Sequence, residues 1–127
     1  MKNSNSIVGA TKDLKLRTKR FALAVIHFVE SLPKDETCRI LGRQLLRSGT
    51  SVGTNYRAAK RAKSTADFIS KMGTVEEEVD ESGYWLELLF EAGKASQPQV
   101  EPLTSEANEL LAIAVASINT ARRRNRT

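Results

Sequence analysis

"RSGTSVGTNYRAAKRAKS", Arg47 to Ser64, decides how this chain is read. Its first half looks like a glycine-rich phosphate loop and its second half like a basic nucleic-acid tract. Periodicity separates the two. Leu41, Leu45, Ser48, Val52, Asn55, Ala59, Ala62 and Ala66 recur at alternating steps of four and three, straight through the glycines. That is the spacing of one helical face. A P-loop needs Gly-x-x-x-x-Gly-Lys-Ser/Thr, whereas Gly49 is followed five residues later by Thr54 and no Gly-Lys pair follows in this stretch. The stretch reads as a helix. Gly42, Gly49 and Gly53 each cost such a helix roughly 1 kcal/mol against alanine. A neighbouring backbone in close approach is the compensation that small residues permit.

Working outward, prolines punctuate the chain at Pro33, Pro98 and Pro102, and apolar residues between them keep helical spacing. Leu14, Phe21, Ala24, Val25, Phe28 and Leu32 share the face of a first helix, which Leu23, Ile26 and Val29 widen. Pro33 closes it, and Asp35 is placed to cap the second helix. A third helix begins at Ser64-Thr65, with Thr65 as the expected cap. Its stripe is Phe68, Met72, Val75, Val79, Ser82, Leu86, Leu89 and Gly93. A second stripe, Tyr84, Trp85, Leu88 and Phe90, places that helix centrally or against another subunit. After the link "GKASQPQVEP" a fourth helix carries Leu103, Ala107, Leu110, Leu111, Ala114, Ile118 and Ala121. Four amphipathic segments with short links predict an all-α, antiparallel up-down four-helix bundle. The 127 residues fit one domain, with flexible ends expected at about 1–11 and 122–127.

An apolar fraction of 40% with 28% charge is that of a globular protein. No apolar run approaches the roughly 18 residues of a membrane span, and "MKNSNSIVGATKD" lacks a signal peptide's apolar segment. The single Cys38 excludes an intrachain disulfide and suits a reducing cytoplasm. The formal charge of +5 points modestly toward polyanions.

The charges are segregated. Arg39, Arg43, Arg47, Arg57, Lys60, Arg61 and Lys63 follow one another in the second helix with no acid among them. Glu76, Glu77, Glu78, Asp80, Glu81, Glu87 and Glu91 follow in the third with no base from Met72 to Glu91. Either the two helices neutralise each other, within or between subunits, or the basic one faces a phosphate backbone. The tail "ARRRNRT" adds Arg122, Arg123, Arg124 and Arg126. These cations either solvate a frayed helix end or contact a polyanion. Few aromatics are interleaved with the bases, so any nucleic-acid contact is electrostatic and weakly selective.

Catalytic constellations are missing from the sequence. A di-iron bundle needs Glu-x-x-His on two helices, yet the only histidine is His27 and Ala24 stands three residues before it. Cys38 and His27 have no spacing that marks a nucleophile and base. No catalytic, metal or cofactor residue is assigned.

The stretch from Leu45 to Gly93 resembles the bacterial four-helix bundle proteins related to those encoded by intervening sequences within 23S ribosomal RNA genes, once labelled ribosomal protein S23. The matching elements are Arg47-Ser48, the small-residue run ending in Asn55, Asp67-Phe68-Ile69, and the Glu-rich helix ending in Leu86-Glu87-Leu88-Leu89. The resemblance implies a homopentameric ring of bundles with a basic surface and no enzymatic activity. A similar fold serves as accessory subunit of a retroelement reverse transcriptase, which makes a reverse transcriptase or another ribonucleoprotein an implied partner. Where many relatives place Glu, this chain has Ala58, leaving Arg57 and Arg61 less neutralised. The combined reading is a non-enzymatic, homo-oligomeric bundle that offers a basic surface to RNA or DNA. Arg47, Arg57, Lys60, Arg61, Arg122, Arg123, Arg124 and Arg126 are the candidate phosphate contacts. Tyr84, Trp85, Glu77, Asp80 and Glu81 are the candidate subunit contacts. The rival is a purely structural assembly or adaptor protein whose charges serve subunit pairing.

Overall fold

A computed structural model describes residues 13–125. It contains four helices, α1 (Leu14–Glu30), α2 (Glu36–Lys60), α3 (Thr65–Glu91) and α4 (Gln97–Asn125), and no strand among the described residues. Each helix packs on the next in chain order and α4 closes back onto α1, giving the expected four-helix bundle. The core runs through it as one cluster that includes Phe21, Val25, Leu45, Val52, Met72, Val79, Leu86, Leu89, Leu103, Leu110 and Ala114.

The disputed stretch is helical throughout Arg47–Lys60, and its glycines face α1. A Cβ at Gly49 would lie 3.0, 3.1 and 3.3 Å from the Cγ2, Cγ1 and Cβ of Val25. At Gly42 it would meet Val29 at 3.1 Å, and at Gly53 the Thr18 hydroxyl at 3.4 Å. The α1–α2 seam is therefore close because α2 lacks side chains along it. On the α3 side the hydroxyls of Ser48 and Ser82, both fully buried, are 2.8 Å apart. Each satisfies a polar atom that would otherwise be costly to bury.

Several local expectations need correction. Helix α2 stops at Lys60, so Ala62 and Ala66 do not continue its face. Ser64, rather than Thr65, caps α3, because its hydroxyl accepts the Asp67 N–H at 3.0 Å. Gly93 is the stop of α3 and not part of its stripe. It adopts φ +76°, which costs glycine least, and the N–H groups of Gly93 and Lys94 close onto Phe90 and Leu89 carbonyls. Pro98 and Pro102 lie inside the first turns of α4 instead of in a link. Pro98, the second residue of α4, is tolerated there because the first N–H groups of a helix lack partners anyway, whereas Pro102 lies inside the helix and leaves the Pro98 carbonyl without its usual helical donor. Leu23 is 47% exposed and does not widen the buried face of α1. Asp35 does cap α2, accepting the Cys38 N–H at 2.8 Å. That bond, and then the Lys94 ammonium at 3.1 Å, hold its carboxyl below the usual carboxylate range. At its far end α4 continues through Arg122, Arg123 and Arg124 to Asn125.

One interaction left no mark in the sequence pattern. Arg17 of α1 and Glu106 of α4, 4% and 0% exposed, form a two-pronged ion pair at 3.0 and 2.8 Å. It bridges the seam where the bundle closes. The Glu106 hydrogen bond holds the guanidinium above its ordinary basicity against the opposing effect of burial. Removing one member leaves a buried, unpaired charge, which costs roughly 3–5 kcal/mol, whereas an apolar pair of similar volume is often neutral. Urea denaturation followed by circular dichroism should therefore show Glu106→Leu destabilised by about that much. Most of the stability should return in the Arg17→Met/Glu106→Leu double variant.

Candidate nucleic-acid interface

The end of the bundle where α2 finishes, α3 starts and α4 finishes is built by short-range bonds. Arg61 ends α2 through its N–H to the carbonyls of Ala58 and Ala59. Three residues later Ser64 caps α3, and the Asp67 carboxylate accepts the Lys63 N–H at 3.1 Å and the Lys71 ammonium at 2.6 Å. The Lys71 bond first, then that N–H, draw the Asp67 carboxyl below its ordinary range. This tight connection fixes Lys60, Arg61 and Lys63 at the bundle end, all exposed. The last turns of α4 arrive beside them. Lys60, Lys63, Ser64, Thr65, Phe68, Ala121 and Arg124 line one shallow cleft of about 430 Å³. The α2 bases and the arginine tail, far apart in sequence, thus share a surface. Arg122 and Arg123 are exposed on the same turns, and Arg123 donates to the Thr120 hydroxyl at 3.3 Å. Arg126 lies outside the described residues. Arg57, one turn before Lys60 and Arg61 on α2, opens instead onto the groove shared with α1.

Antiparallel register explains which charges cancel. Ser48 lies beside Ser82, and Arg47 pairs with Glu81 and, at 3.5 Å, with Glu78. The acids of α3 therefore stand level with the first half of α2. Arg57 to Lys63 lie beside the start of α3, ahead of Glu76. Arg39, Arg47, Lys71 and Lys94 each have a carboxylate partner, as does buried Arg17. Lys15, Lys19, Arg57, Lys60, Arg61, Lys63 and Arg122 make no ion pair among the described residues. Arg20, Lys34 and Arg43 also lack one there, and they line neither of these two clefts. Of the candidate phosphate contacts, Arg47 has its charge answered by α3.

The candidate subunit contacts divide too. Trp85 is half-buried and donates its indole N–H to Glu81 at 3.0 Å, so both face their own chain. Tyr84 is 52% exposed, edge-on to Trp85 with ring centres 5.2 Å apart. Glu77 and Asp80 are both exposed. Asp80, Tyr84, Glu87, Phe90, Glu101 and Leu111 border a groove of about 530 Å³ between α3 and α4, an acidic surface with an apolar floor.

The sequence reading missed Lys15 and Lys19, whose i, i+4 spacing on α1 was the available signal. It also missed Arg17 with Glu106, for which no local pattern exists. No group of three or more His, Cys, Asp or Glu among the described residues is arranged to hold a metal. No helix among them is long and apolar enough to cross a membrane.

A model of the 23S rRNA-intervening sequence protein family matches residues 12–116. The chain belongs to that family. The crystal structure, at 1.70 Å, of a protein with unknown function from the S23 ribosomal protein family of Bacteroides thetaiotaomicron VPI-5482 is similar to it. The two share 32% sequence identity with a TM-score of 0.76, over 83% of this chain and 97% of that one. No curated protein matches the chain. The match spans the whole of α1, α2 and α3 and most of α4, so the family is defined by the bundle itself and not by the arginine tail.

Cys38, the one thiol, is 3% exposed at the start of α2. Burial first, and then the adjacent Asp35 carboxylate, push it above the ordinary thiol range. Thiolate is the reactive form, so a disulfide-exchange reagent at neutral pH should label the native protein negligibly and react fully once urea unfolds it.

Proposed function

We propose that this protein is a non-enzymatic, homo-oligomeric RNA-binding bundle that works in the cytoplasm as a component of a ribonucleoprotein. The observation that carries the reading is the gathering of cations at one end. Lys60 and Lys63 share a cleft there with Ala121 and Arg124 of α4, exposed Arg61 stands between them in the chain, and Arg57 lies one turn before on α2. Arg17, Arg39, Arg47, Lys71 and Lys94 are instead answered by acids. A soluble surface needs only mixed charge, so solubility does not account for this separation. The contact is with phosphates, which are read by charge and carry no base information. Arg57, Lys60, Arg61, Arg122, Arg123 and Arg124 supply it, and Arg47 is held by Glu78 and Glu81.

Oligomerisation uses the other surface. Tyr84, Asp80 and Glu77, with the acidic groove between α3 and α4, face the neighbouring subunit, in the pentameric ring that the family resemblance implies. The family's name refers to intervening sequences of 23S rRNA, and RNA is accordingly the first ligand to try; a reverse transcriptase is the enzyme partner the resemblance offers.

Filter binding of single-stranded RNA by the purified protein should show affinity falling steeply with salt, with a log–log slope of about −0.7 for each phosphate neutralised. Arg57→Glu/Arg61→Glu should abolish binding at low salt while light scattering shows an unchanged oligomer. Absence of RNA binding by the wild-type protein at low salt contradicts the reading. Loss of the oligomer in the charge-reversed variant favours a structural assembly protein instead.

A further inference from the structure

We infer that the groove between α1 and α2 around Gly53 is a second phosphate site, in which Lys15 and Lys19 of α1 and Arg57 of α2 hold a phosphodiester of an RNA backbone. The inference rests on the RNA reading above and extends the nucleic-acid face to a helix that reading does not use.

Three observations support it. First, the groove brings Lys15, Lys19 and Arg57 together with no acid in its lining. Lys15 and Lys19, four residues apart, lie on one helix face, where like charges are destabilising. A third cation from α2 adds to that repulsion, and none of the three has an ion-pair partner among the described residues. Asp13, the acid at the start of α1, is engaged as its N-cap by the N–H groups of Lys15 and Leu16. An anion is the group that relieves this arrangement.

Second, the size suits an ion-like group. The depression measures about 160 Å³, below the roughly 300–1,000 Å³ of small-molecule pockets. Its shallowness has a cause in the packing. A Cβ at Gly53 would meet Thr18 Oγ1 at 3.4 Å and Thr18 Cβ at 3.6 Å, so the two helices nearly touch at the floor. A cofactor has no room to enter between them, whereas a phosphate resting on the rim reaches cations on both sides.

Third, the lining leaves recognition to charge. The hydroxyls of Thr18, Thr50 and Thr54 donate to carbonyls of their own helices, Leu14, Leu46 and Ser51, at 2.7, 2.6 and 3.1 Å. The ammonium and guanidinium groups are then the donors facing outward. That selects phosphate without selecting sequence. Arg57 also sits one helical turn before Lys60 and Arg61, so a single strand following these cations passes from the groove to the bundle end.

The test is a filter-binding salt titration with an end-labelled oligouridylate on the full-length protein. Lys15→Gln/Lys19→Gln removes two exposed charges, and circular dichroism confirms that it folds. Lys34→Gln/Arg43→Gln removes two charges that likewise lack an ion pair among the described residues and line neither cleft, as a matched control. Expected is a salt slope shallower by about 0.7 for each phosphate that is no longer neutralised, with at least tenfold weaker binding at low salt. The control should keep the wild-type slope. A Lys15/Lys19 variant that retains the wild-type slope and affinity, or that merely matches the control, overturns the site. In those cases a loss of binding in Lys60→Gln/Lys63→Gln shows that the bundle-end reading survives. Failure of the wild-type protein to bind the oligomer overturns both.

Discussion

The contact between Gly49 and Val25 fixes the rest of the structure. Helix α2 is packed on α1 by one face and on α3 by another. On the α1 side its missing side chains let Val25 sit where a Cβ would already be within 3.0–3.3 Å. On the α3 side Ser48 meets Ser82 through a buried hydroxyl pair. Two small-residue seams that meet at the consecutive residues Ser48 and Gly49 leave little freedom to slide, because a shift in either register would put a larger residue where only a small one fits. The helix loses propensity at each glycine, and the close packing of Phe21, Val25 and Val52 offsets it.

That register decides where charge is neutralised. Three arginines show three outcomes. Arg17 is buried and matched by Glu106. Arg47, half exposed, finds Glu78 and Glu81 because α3 runs antiparallel beside it. Arg57 belongs to the same helix as Arg47 but lies beyond the acidic run, and it has no carboxylate partner among the described residues. Most of the cations that remain collect at one end, while Glu77, Asp80, Glu87 and Glu101 remain along α3 and α4. A bundle with basic and acidic surfaces so separated has two distinct electrostatic faces, one suited to a polyanion and one to a cationic partner.

The four helices and their core faces were legible because apolar spacing is a local signal. Phe21, Val25, Leu45, Val52, Met72 and Leu86 are buried as their periodicity required. Boundaries were less legible, and for identifiable reasons. Ser64 and Thr65 are chemically equivalent caps, and only the position of the Asp67 N–H selects the first. Gly93 fits a heptad position as well as a helix stop, and its positive φ is visible only in three dimensions. The proline pair at 98 and 102 looked like a break, since a linear reading cannot see that α4 begins at Gln97. At the candidate interface, the basic residues of α2 and α4 were legible as separate runs. Their convergence on one cleft, and the addition of Lys15 and Lys19, depend on the bundle's topology. The Arg17–Glu106 pair joins residues 89 positions apart, beyond any local pattern.

The most direct test of the account is a double-mutant cycle on Gly49 and Val25, read by urea denaturation. Substituting alanine at Gly49 should gain helix propensity of up to about 1 kcal/mol and lose at least as much to overpacking against Val25. The single variant should therefore be no more stable than wild type. In a Val25→Ala background, where space is available, the same substitution should stabilise by about 1 kcal/mol, giving a coupling of that size. Equal stabilisation by Gly49→Ala in both backgrounds would contradict the close approach of α1 and α2, and equal, severe destabilisation in both would contradict a helical Gly49.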